Sequence, residues 1–186
     1  MNLAGFTGYP RRMQKERRGR VYLVGFMGSG KSSVGVPLAH EIGYRFLDLD
    51  HEIEQTRGLP VSEIFERDGE PEFRRLEALS LRLCGAQQGV VVATGGGTLT
   101  RHENLDFIGR TGVSVWLDAP LAIMLERCRD GVRRPLLSTP ERMAALLAER
   151  IAAYRSADLR FDSSDAAPDV IARRIANRLR QAGFGT

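Results

Sequence analysis

The chain has 186 residues, a size that suits one domain with a substantial hydrophobic core. Hydrophobic residues make up 42% of it and charged residues 27%, and no apolar run is long enough to cross a membrane. Much of the net charge of +4 lies in residues 1–19, which we expect to be a disordered basic tail without a nucleic-acid partner. Two cysteines, no C-x-x-C pair and no visible signal peptide favour a cytoplasmic location.

Short apolar runs alternate with helical patterns along residues 20–186. The runs typical of buried strands are, in chain order, RVYLVGF, YRFLDLD, VVVAT, GVSVWLD and LRFD. Helical patterns are seen at Lys31–Ile42, Pro120–Arg129, Pro140–Ala157 and Pro168–Ala182. This alternation predicts an α/β domain with three layers, in which a five-stranded parallel sheet carries helices on both faces.

Two segments interrupt the alternation. From about residue 49 to 85, helix follows helix without a strand, and we expect this insertion to be the substrate-binding part of the domain. From about 129 to 141, the sequence RDGVRRPLLSTPE is rich in arginine and contains Gly and Pro between two helices. Such a composition predicts a mobile loop, and mobile loops over active sites are often lids.

The stretch GFMGSGKSSVG, which begins at Gly25, has the spacing G-x-x-x-x-G-K-S of a phosphate-binding loop. Its glycines let backbone N–H groups point at phosphate oxygens, and the following helix adds the partial positive charge of its N-terminus. We expect Lys31 to reach the β- and γ-phosphates of ATP. Magnesium prefers oxygen ligands, so we expect Ser32 to bind Mg²⁺ with Asp48 acting through water. The predicted nucleotide-binding residues of this loop are Gly28, Ser29, Gly30, Lys31, Ser32 and Ser33.

Charged residues are predicted to surround the acceptor of the phosphate. Asp48 and Asp50 are two apart along the second predicted strand, so both should face one side of the sheet at its carboxyl edge. The alternative is a solvated strand end followed by a helix cap. Arg74 and Glu77 are three apart on a helix and form either an exposed ion pair or an arginine oriented to clamp a carboxylate. Arg75 is expected to face solvent.

Three consecutive glycines end the third predicted strand. This glycine run, Gly95–Gly97, is either a flexible turn or a place where bare backbone N–H groups meet a ligand. Arg134, in the predicted lid, and Arg155, in the following helix, are expected to converge on an anionic ligand. Taken alone, either arginine is equally compatible with a surface charge.

In this order, the motifs resemble those of shikimate kinases. The resemblance extends from about Val21 to Arg180 and rests on GFMGSGKSSVG, FLDLDHEIEQ, IFERDGEPEFRRLE, ATGGGTL and RRPLL. It implies transfer of the γ-phosphate of ATP, with Mg²⁺, to the 3-hydroxyl of shikimate on the route to chorismate and the aromatic amino acids. It also implies a P-loop fold like that of nucleoside-monophosphate kinases, and a monomer.

The resemblance further implies roles for individual residues. Asp50 would contact the acceptor hydroxyls as the candidate base, while Lys31 and Arg134 would neutralise charge on the transferring phosphate. Arg127 would lie near the adenine, and Arg134 would reach both the phosphates and the substrate. The residues implied in substrate binding are Asp50, Arg74, Gly96, Gly97, Arg155, Phe65, Phe73 and Glu77.

Two other functions fit parts of the sequence. A gluconate-kinase-like enzyme would share the phosphate loop but would not need FRRLE and GGG to hold a carboxylated ring. A non-catalytic ligand sensor with a shikimate-kinase-like domain would carry a helix-turn-helix before the domain. The roughly 20 residues before the first strand are too few for that module. A sensor is also expected to lack Lys31, Asp48 or Asp50, and all three are present.

Overall fold

The computed structural model describes residues 19–129 and 139–184, so all but the last residue of the predicted tail and most of the predicted lid lie outside the described residues. The strands are β1 Arg20–Val24, β2 Arg45–Asp48, β3 Val90–Ala93, β4 Val113–Asp118 and β5 Leu159–Asp162. The helices are α1 Lys31–Glu41, α2 Leu49–Arg57, α3 Val61–Gly85, α4 His102–Thr111, α5 Leu121–Arg129, α6 Pro140–Arg155 and α7 Pro168–Gln181. Within these ranges, none of the helices has the length and apolar character needed to span a bilayer.

The five strands form one sheet in the order β2-β3-β1-β4-β5, and every neighbouring pair is parallel. The central strand β1 pairs with β3 on one side and β4 on the other, which sets Val21 opposite Val91 and Val113. All four residues of β3 are buried, as expected for a strand covered on both faces. The predicted parallel five-stranded sheet is therefore confirmed.

Two hydrophobic cores lie on opposite faces of the sheet. Because side chains alternate along a strand, Val21 and Leu23 pack into one core, while Tyr22 and Val24 pack into the other. The first core is closed by α1 and α7, and the second by α3, α4, α5 and α6. This arrangement is the predicted three-layer fold.

Helices α2 and α3 form the predicted insertion between β2 and β3. They share a small core of their own, made by Ile53, Ile64, Phe73 and Leu76. Helix α3 is kinked at Gly69, whose φ of 79° and ψ of 168° are not helical. A proline two residues later begins the second half of the helix, in the helical turn where proline is tolerated. Because of the kink, residues from both halves of α3, such as Phe65 and Arg74, line one pocket.

The junction of β2 and α2 differs from the prediction. Strand β2 ends at Asp48, and Asp50 lies in the first turn of α2 rather than on the strand. The Asp48 side chain is the N-cap, because its Oδ1 accepts a hydrogen bond from the Asp50 N–H at 3.1 Å. Asp48 and Asp50 are therefore not alternate residues of one strand, contrary to the prediction, although the capping geometry keeps both aspartates at the carboxyl edge of the sheet.

Candidate active site

The phosphate loop joins β1 to α1 at the carboxyl edge of the sheet. Gly28 has a φ of 74°, and a Cβ at this position would lie 2.5 Å from the Met124 carbonyl oxygen. Only glycine fits this conformation and this contact. Helix α1 begins after Gly30 with no side-chain cap. The N–H groups of its first turn lie at the positive end of the helix, where an anion is favoured.

Lys31 lies folded over the loop. Its Nζ donates hydrogen bonds to the carbonyl oxygens of Gly25 at 2.9 Å and Phe26 at 2.8 Å. Ser29 is fully buried, and its N–H donates to the Phe26 carbonyl at 3.2 Å. Ser29 therefore packs inside the loop. Unlike the other predicted loop residues, it does not line the cavity that is described below.

Ser32 and Asp48 face each other across the loop. The Ser32 hydroxyl donates to Asp48 Oδ2 at 2.5 Å, and both residues line the same cavity. A hydroxyl and a carboxylate are oxygen donors of the kind Mg²⁺ prefers, and Mg²⁺ needs few protein ligands because it keeps several waters. The two residues predicted for the metal are thus adjacent and chemically suited to it.

A cavity of about 690 Å³ opens beside the loop, and we call it the phosphate-loop cavity. Its size lies within the range of small-molecule sites. Arg127 forms part of its wall by donating hydrogen bonds to the carbonyls of Gly28 at 3.4 Å and Ser163 at 2.9 Å. The predicted residues that line this cavity are Gly28, Gly30, Lys31, Ser32, Ser33, Asp48, Asp50 and Arg127.

A second, smaller pocket encloses about 60 Å³, and we call it the arginine pocket. It lies between α3, α6 and the glycine run, and its residues are Met27, Asp50, Val61, Ser62, Phe65, Phe73, Arg74, Glu77, Gly95, Gly96, Gly97, Leu146 and Arg150. Met27, Asp50, Val61, Ser62 and Gly96 also line the phosphate-loop cavity. The two spaces are therefore continuous, and a molecule in one lies next to a molecule in the other.

Arg74 enters the arginine pocket from α3. Its Nη1 donates to Glu77 Oε2 at 2.9 Å, its Nη2 donates to Glu70 Oε1 at 3.1 Å, and its side chain is 14% exposed. Arg75 points outward instead, pairs with Glu72 and is 61% exposed, as predicted. Because Glu77 is fully buried, the Arg74–Glu77 pair is not the exposed ion pair considered as the alternative.

Burial raises the pKa of Glu77 above its ordinary value, and the nearby carboxylate of Asp50 acts in the same direction. The charge of Arg74 and the hydrogen bonds from Thr98 and Arg74 oppose that rise. A buried carboxylate held in this way orients the guanidinium beside it, as the functional interpretation of Arg74 and Glu77 requires. The rings of Phe65 and Phe73 pack beside this pair, with centroids 4.5 Å apart.

The glycine run lies against the arginine side chains. A Cβ at Gly97 would lie 2.6 Å from both Nη atoms of Arg74, and a Cβ at Gly96 would lie 3.7 Å from Arg150 Nη1. All three glycines are buried. The run is therefore a packed wall of the arginine pocket rather than the flexible turn considered as the alternative.

The structure does not bring Arg155 to the arginine pocket. Arg155 is exposed at the last turn of α6, while Arg150 of the same helix lines the pocket with only 8% of its surface exposed. The guanidinium carbon of Arg150 lies 6.0 Å from the centroid of the Phe26 ring. Arg150 was missed at the sequence level, although it occupies a core position. The buried residues Met143, Arg150 and Tyr154 recur at helical spacing on one face. Arg134 lies outside the described residues.

Comparison with known proteins agrees with this geometry. The family model for shikimate kinase matches residues 27–180. The chain belongs to the shikimate kinase family. The shikimate kinase of Synechococcus sp. strain CC9902 is 47% identical over 163 residues, covering 86% of this chain and 85% of that protein. The shikimate kinase of Geobacter sulfurreducens is 44% identical over 164 residues, covering 87% and 91%.

A solved structure extends the agreement to three dimensions. The structure of shikimate kinase from Acinetobacter baumannii in complex with shikimate superposes with a TM-score of 0.85 at 35% identity. The match covers 91% of this chain and 98% of that chain. The resemblance to shikimate kinases and the P-loop kinase fold are therefore confirmed, and the chain is an ATP-dependent kinase.

Proposed function

We propose that this chain transfers the γ-phosphate of ATP to the 3-hydroxyl of shikimate, giving shikimate 3-phosphate and ADP on the route to chorismate and the aromatic amino acids. The observation that carries the proposal is the composition of the arginine pocket. Arg74 and Arg150 lie at one pocket, with Asp50 at the place where that pocket meets the phosphate-loop cavity. Shikimate, a carboxylated ring with three hydroxyls, needs cations at one end and a hydroxyl acceptor at the other.

The arginines serve recognition of the carboxylate. Arg74 is held through all three guanidinium nitrogens, since Nη1 donates to Glu77 and both Nε and Nη2 donate to Glu70. It also packs over the Phe73 ring, with its guanidinium carbon 5.3 Å from the centroid. Arg150 approaches from α6 and lies nearest Gly96, whereas Arg74 lies against Gly97. A planar guanidinium fixed in this manner matches the geometry of a carboxylate. Because the side chain is already ordered before the ligand binds, little conformational entropy is lost on binding.

Asp50 serves the reacting end. Its carboxylate would accept a hydrogen bond from the acceptor hydroxyl and so direct the oxygen at the γ-phosphorus, which the position of Asp50 between the two cavities supports. In the transfer, the new bond joins that oxygen to phosphorus, the bond to ADP breaks, and the hydroxyl proton passes to a base, for which Asp50 is the candidate. Phosphoryl transfer depends mainly on such positioning and on charge neutralisation.

The phosphate loop serves the donor. The N-terminus of α1 and the ammonium of Lys31 lie where the phosphates of ATP would be bound, and Lys31 would exchange its contacts with the Gly25 and Phe26 carbonyls for phosphate oxygens. Ser32 and Asp48 would hold Mg²⁺, which when bound neutralises charge on the phosphate oxygens. Arg127 would lie on the nucleotide side of the loop, next to Gly28.

ADP release from Mg-ATP tests the function. The assay compares no acceptor, shikimate, gluconate and quinate, and NMR of the product locates the phosphate. We expect stimulation by shikimate alone and a product phosphorylated at the 3-hydroxyl. Stimulation by gluconate instead would keep the kinase and replace its substrate. Binding of shikimate without ADP release would favour the non-catalytic sensor.

For the molecule as a whole, we propose a monomer without a nucleic-acid partner, located in the cytoplasm. Helices α2 and α3 act as the substrate-binding insertion, because α2 supplies Asp50 and α3 supplies Arg74, Glu77 and both phenylalanines to the arginine pocket. The lid at 129–141 and the role of Arg134 stay predictions, since residues 130–138 lie outside the described part of the chain.

A further inference from the structure

The glycine run is held by hydrogen bonds to each of its carbonyl oxygens. The Gly95 carbonyl accepts from the Thr98 N–H at 3.1 Å, and the Gly97 carbonyl accepts from the Thr100 N–H at 3.1 Å and the Thr100 hydroxyl at 2.7 Å. The Gly96 carbonyl accepts from the Tyr154 hydroxyl, whose pKa burial raises to about 12, so it is a protonated donor at neutral pH. The backbone at this wall of the pocket is therefore hydrogen-bonded at all three glycines.

Thr98, the residue after the run, is fixed from several directions. It is fully buried, and its carbonyl accepts a hydrogen bond from Asn104 Nδ2 at 3.0 Å. Asn104 is itself fully buried, and its Oδ1 accepts from Arg82 Nη1 at 3.3 Å. These contacts tie the position of Thr98 to α3 and α4, away from the pocket.

The Thr98 hydroxyl donates to Glu77 Oε1 at 2.7 Å. The other oxygen of that carboxylate, Oε2, accepts from Arg74 at 2.9 Å. Glu77 is thus a bridge between a fixed hydroxyl on one side and the guanidinium of the arginine pocket on the other. The absence of a side chain at Gly95 leaves the space that Glu77 Oε1 occupies.

We propose that Thr98 is a positioning residue for the acceptor site, and that its hydroxyl holds Glu77 in the orientation that aims Arg74 into the arginine pocket. The inference rests on the proposed function, because it takes shikimate as the ligand of Arg74. Without the hydroxyl, Glu77 Oε1 would be buried with no donor from Thr98, at considerable cost for a carboxylate. The carboxylate would then turn to another donor or take up a proton, and Arg74 would keep Glu70 but lose the buried partner that fixes its Nη1.

The test compares Thr98→Val with Thr98→Ser. Valine keeps the shape of threonine but lacks the hydroxyl, while serine keeps the hydroxyl. We expect Thr98→Val to raise the KM for shikimate about tenfold, the scale of one hydrogen bond to a charged group, with a much smaller change in kcat and in the KM for ATP. We expect Thr98→Ser to restore the KM for shikimate to near the wild-type value.

Thr111→Val is the matched control. The Thr111 hydroxyl also makes two intramolecular hydrogen bonds, one with the Tyr22 hydroxyl at 2.8 Å and one to the Phe107 carbonyl at 2.7 Å, and none of the residues involved lines either cavity. The substitution Thr111→Val should lower thermal stability without changing the KM for shikimate. Thr98→Ala replaces Thr98→Val if the valine variant does not fold, as judged by circular dichroism.

The outcomes separate the two proposals. If wild-type protein shows no ADP release that depends on shikimate, the proposed function fails, and the role of Thr98 fails with it. If the wild type is a shikimate kinase and a folded Thr98→Val or Thr98→Ala variant keeps the wild-type KM for shikimate, the inference about Thr98 is overturned alone. A fall in kcat and both affinities together, not rescued by serine, would show a merely structural role and also overturn it.

Discussion

Asp50 lines both the arginine pocket and the phosphate-loop cavity. Replacing it with asparagine keeps the shape of the side chain but removes the negative charge and the ability to take a proton. We expect Asp50→Asn to lower kcat by about 10²–10⁴-fold, the usual contribution of a positioned acid or base, while the Kd for ATP stays near the wild-type value. Steady-state kinetics and calorimetry measure the two quantities.

Asp169→Asn is the control for that substitution, since Asp169 is exposed on α7 and pairs only with Arg173 four residues later in the described structure. We expect it to leave kcat unchanged. Turnover like that of the wild type in Asp50→Asn would remove Asp50 from the reaction.

Arg74 and Arg75 form a natural pair of test and control, because they are adjacent on α3 but face opposite environments. Removing Arg74 leaves Glu77 buried without its cation and takes one guanidinium from the pocket. We expect Arg74→Ala to weaken shikimate binding by about 2–5 kcal/mol, the cost of removing one partner of a buried charge pair. Arg75→Ala should change the Kd for shikimate little, because exposed ion pairs contribute little. Equal effects of the two substitutions on that Kd would argue against the proposed clamp.

Arg150 and Arg155 form a second pair, this time on α6. The sequence indicated Arg155, but the structure places Arg150 in the arginine pocket and Arg155 at the exposed end of the helix. We expect Arg150→Ala to weaken shikimate binding by about 2–5 kcal/mol, while Arg155→Ala leaves it unchanged. Titration of each folded variant with shikimate decides between them. A loss of affinity confined to Arg155→Ala would reinstate the interpretation from sequence.

At the scale of elements, the strands were the most predictable part of the chain. Runs such as VVVA are buried on both faces and end at glycines, so their length and composition identify them without any knowledge of tertiary contacts. The end of β2 was not predictable in this way. An aspartate continues the sequence pattern of the strand and also caps a helix, and only the folded backbone shows that capping ends the strand at Asp48.

Helix α4 was missed for a related reason. It begins after Arg101 without a side-chain cap, and its ten residues follow directly on the glycine run and a short 3-10 turn, Thr98–Thr100. The signal that identifies a helix start was therefore absent. The role of Arg150 was not predicted either, because the residue type alone does not show whether an arginine lies on the buried or the exposed face of its helix. The spacing of its buried neighbours Met143 and Tyr154 is the pattern that contains this information.

The close packing of the glycine run against Arg74 gives a prediction for this element. The backbone at Gly97, with a φ of −105°, is open to any residue, so alanine should fold there. Its Cβ would nevertheless lie 2.6 Å from the Arg74 guanidinium and displace it. We expect Gly97→Ala to raise the KM for shikimate by about tenfold or more, the result of losing a charged hydrogen bond. Thermal stability should also fall, because the displaced guanidinium pairs with the buried Glu77.

Gly109→Ala is the control for Gly97→Ala. Gly109 lies in α4 with nothing within 4 Å of its would-be Cβ. Alanine should stabilise that helix by about 0.5–1 kcal/mol and leave the KM for shikimate unchanged. If Gly97→Ala binds shikimate as tightly as the wild type does, the run is not a wall of the acceptor site.

At the scale of the whole molecule, the two cysteines report separately on the core and on the phosphate-loop cavity. Cys84, near the end of α3, is buried in the core with 2% of its surface exposed, and burial raises its pKa to about 11. Cys128 lines the phosphate-loop cavity, with its Sγ 2.9 Å from a Cβ placed at Gly28. Because alkylation requires an accessible thiolate, we expect iodoacetamide to modify Cys128 and to leave Cys84 unmodified in the folded protein.

Nucleotide binding should then protect Cys128. If the phosphates of ATP occupy the loop beside Gly28, Mg-ATP should slow alkylation of Cys128 severalfold, while shikimate alone should slow it less, because the arginine pocket does not include that residue. Peptide mass spectrometry over a time course gives both rates, and Cys128→Ser shows whether any modification of Cys84 remains. Reaction of Cys84 at the rate of Cys128 would contradict the closed core, and equal rates with and without Mg-ATP would separate the nucleotide site from this cavity.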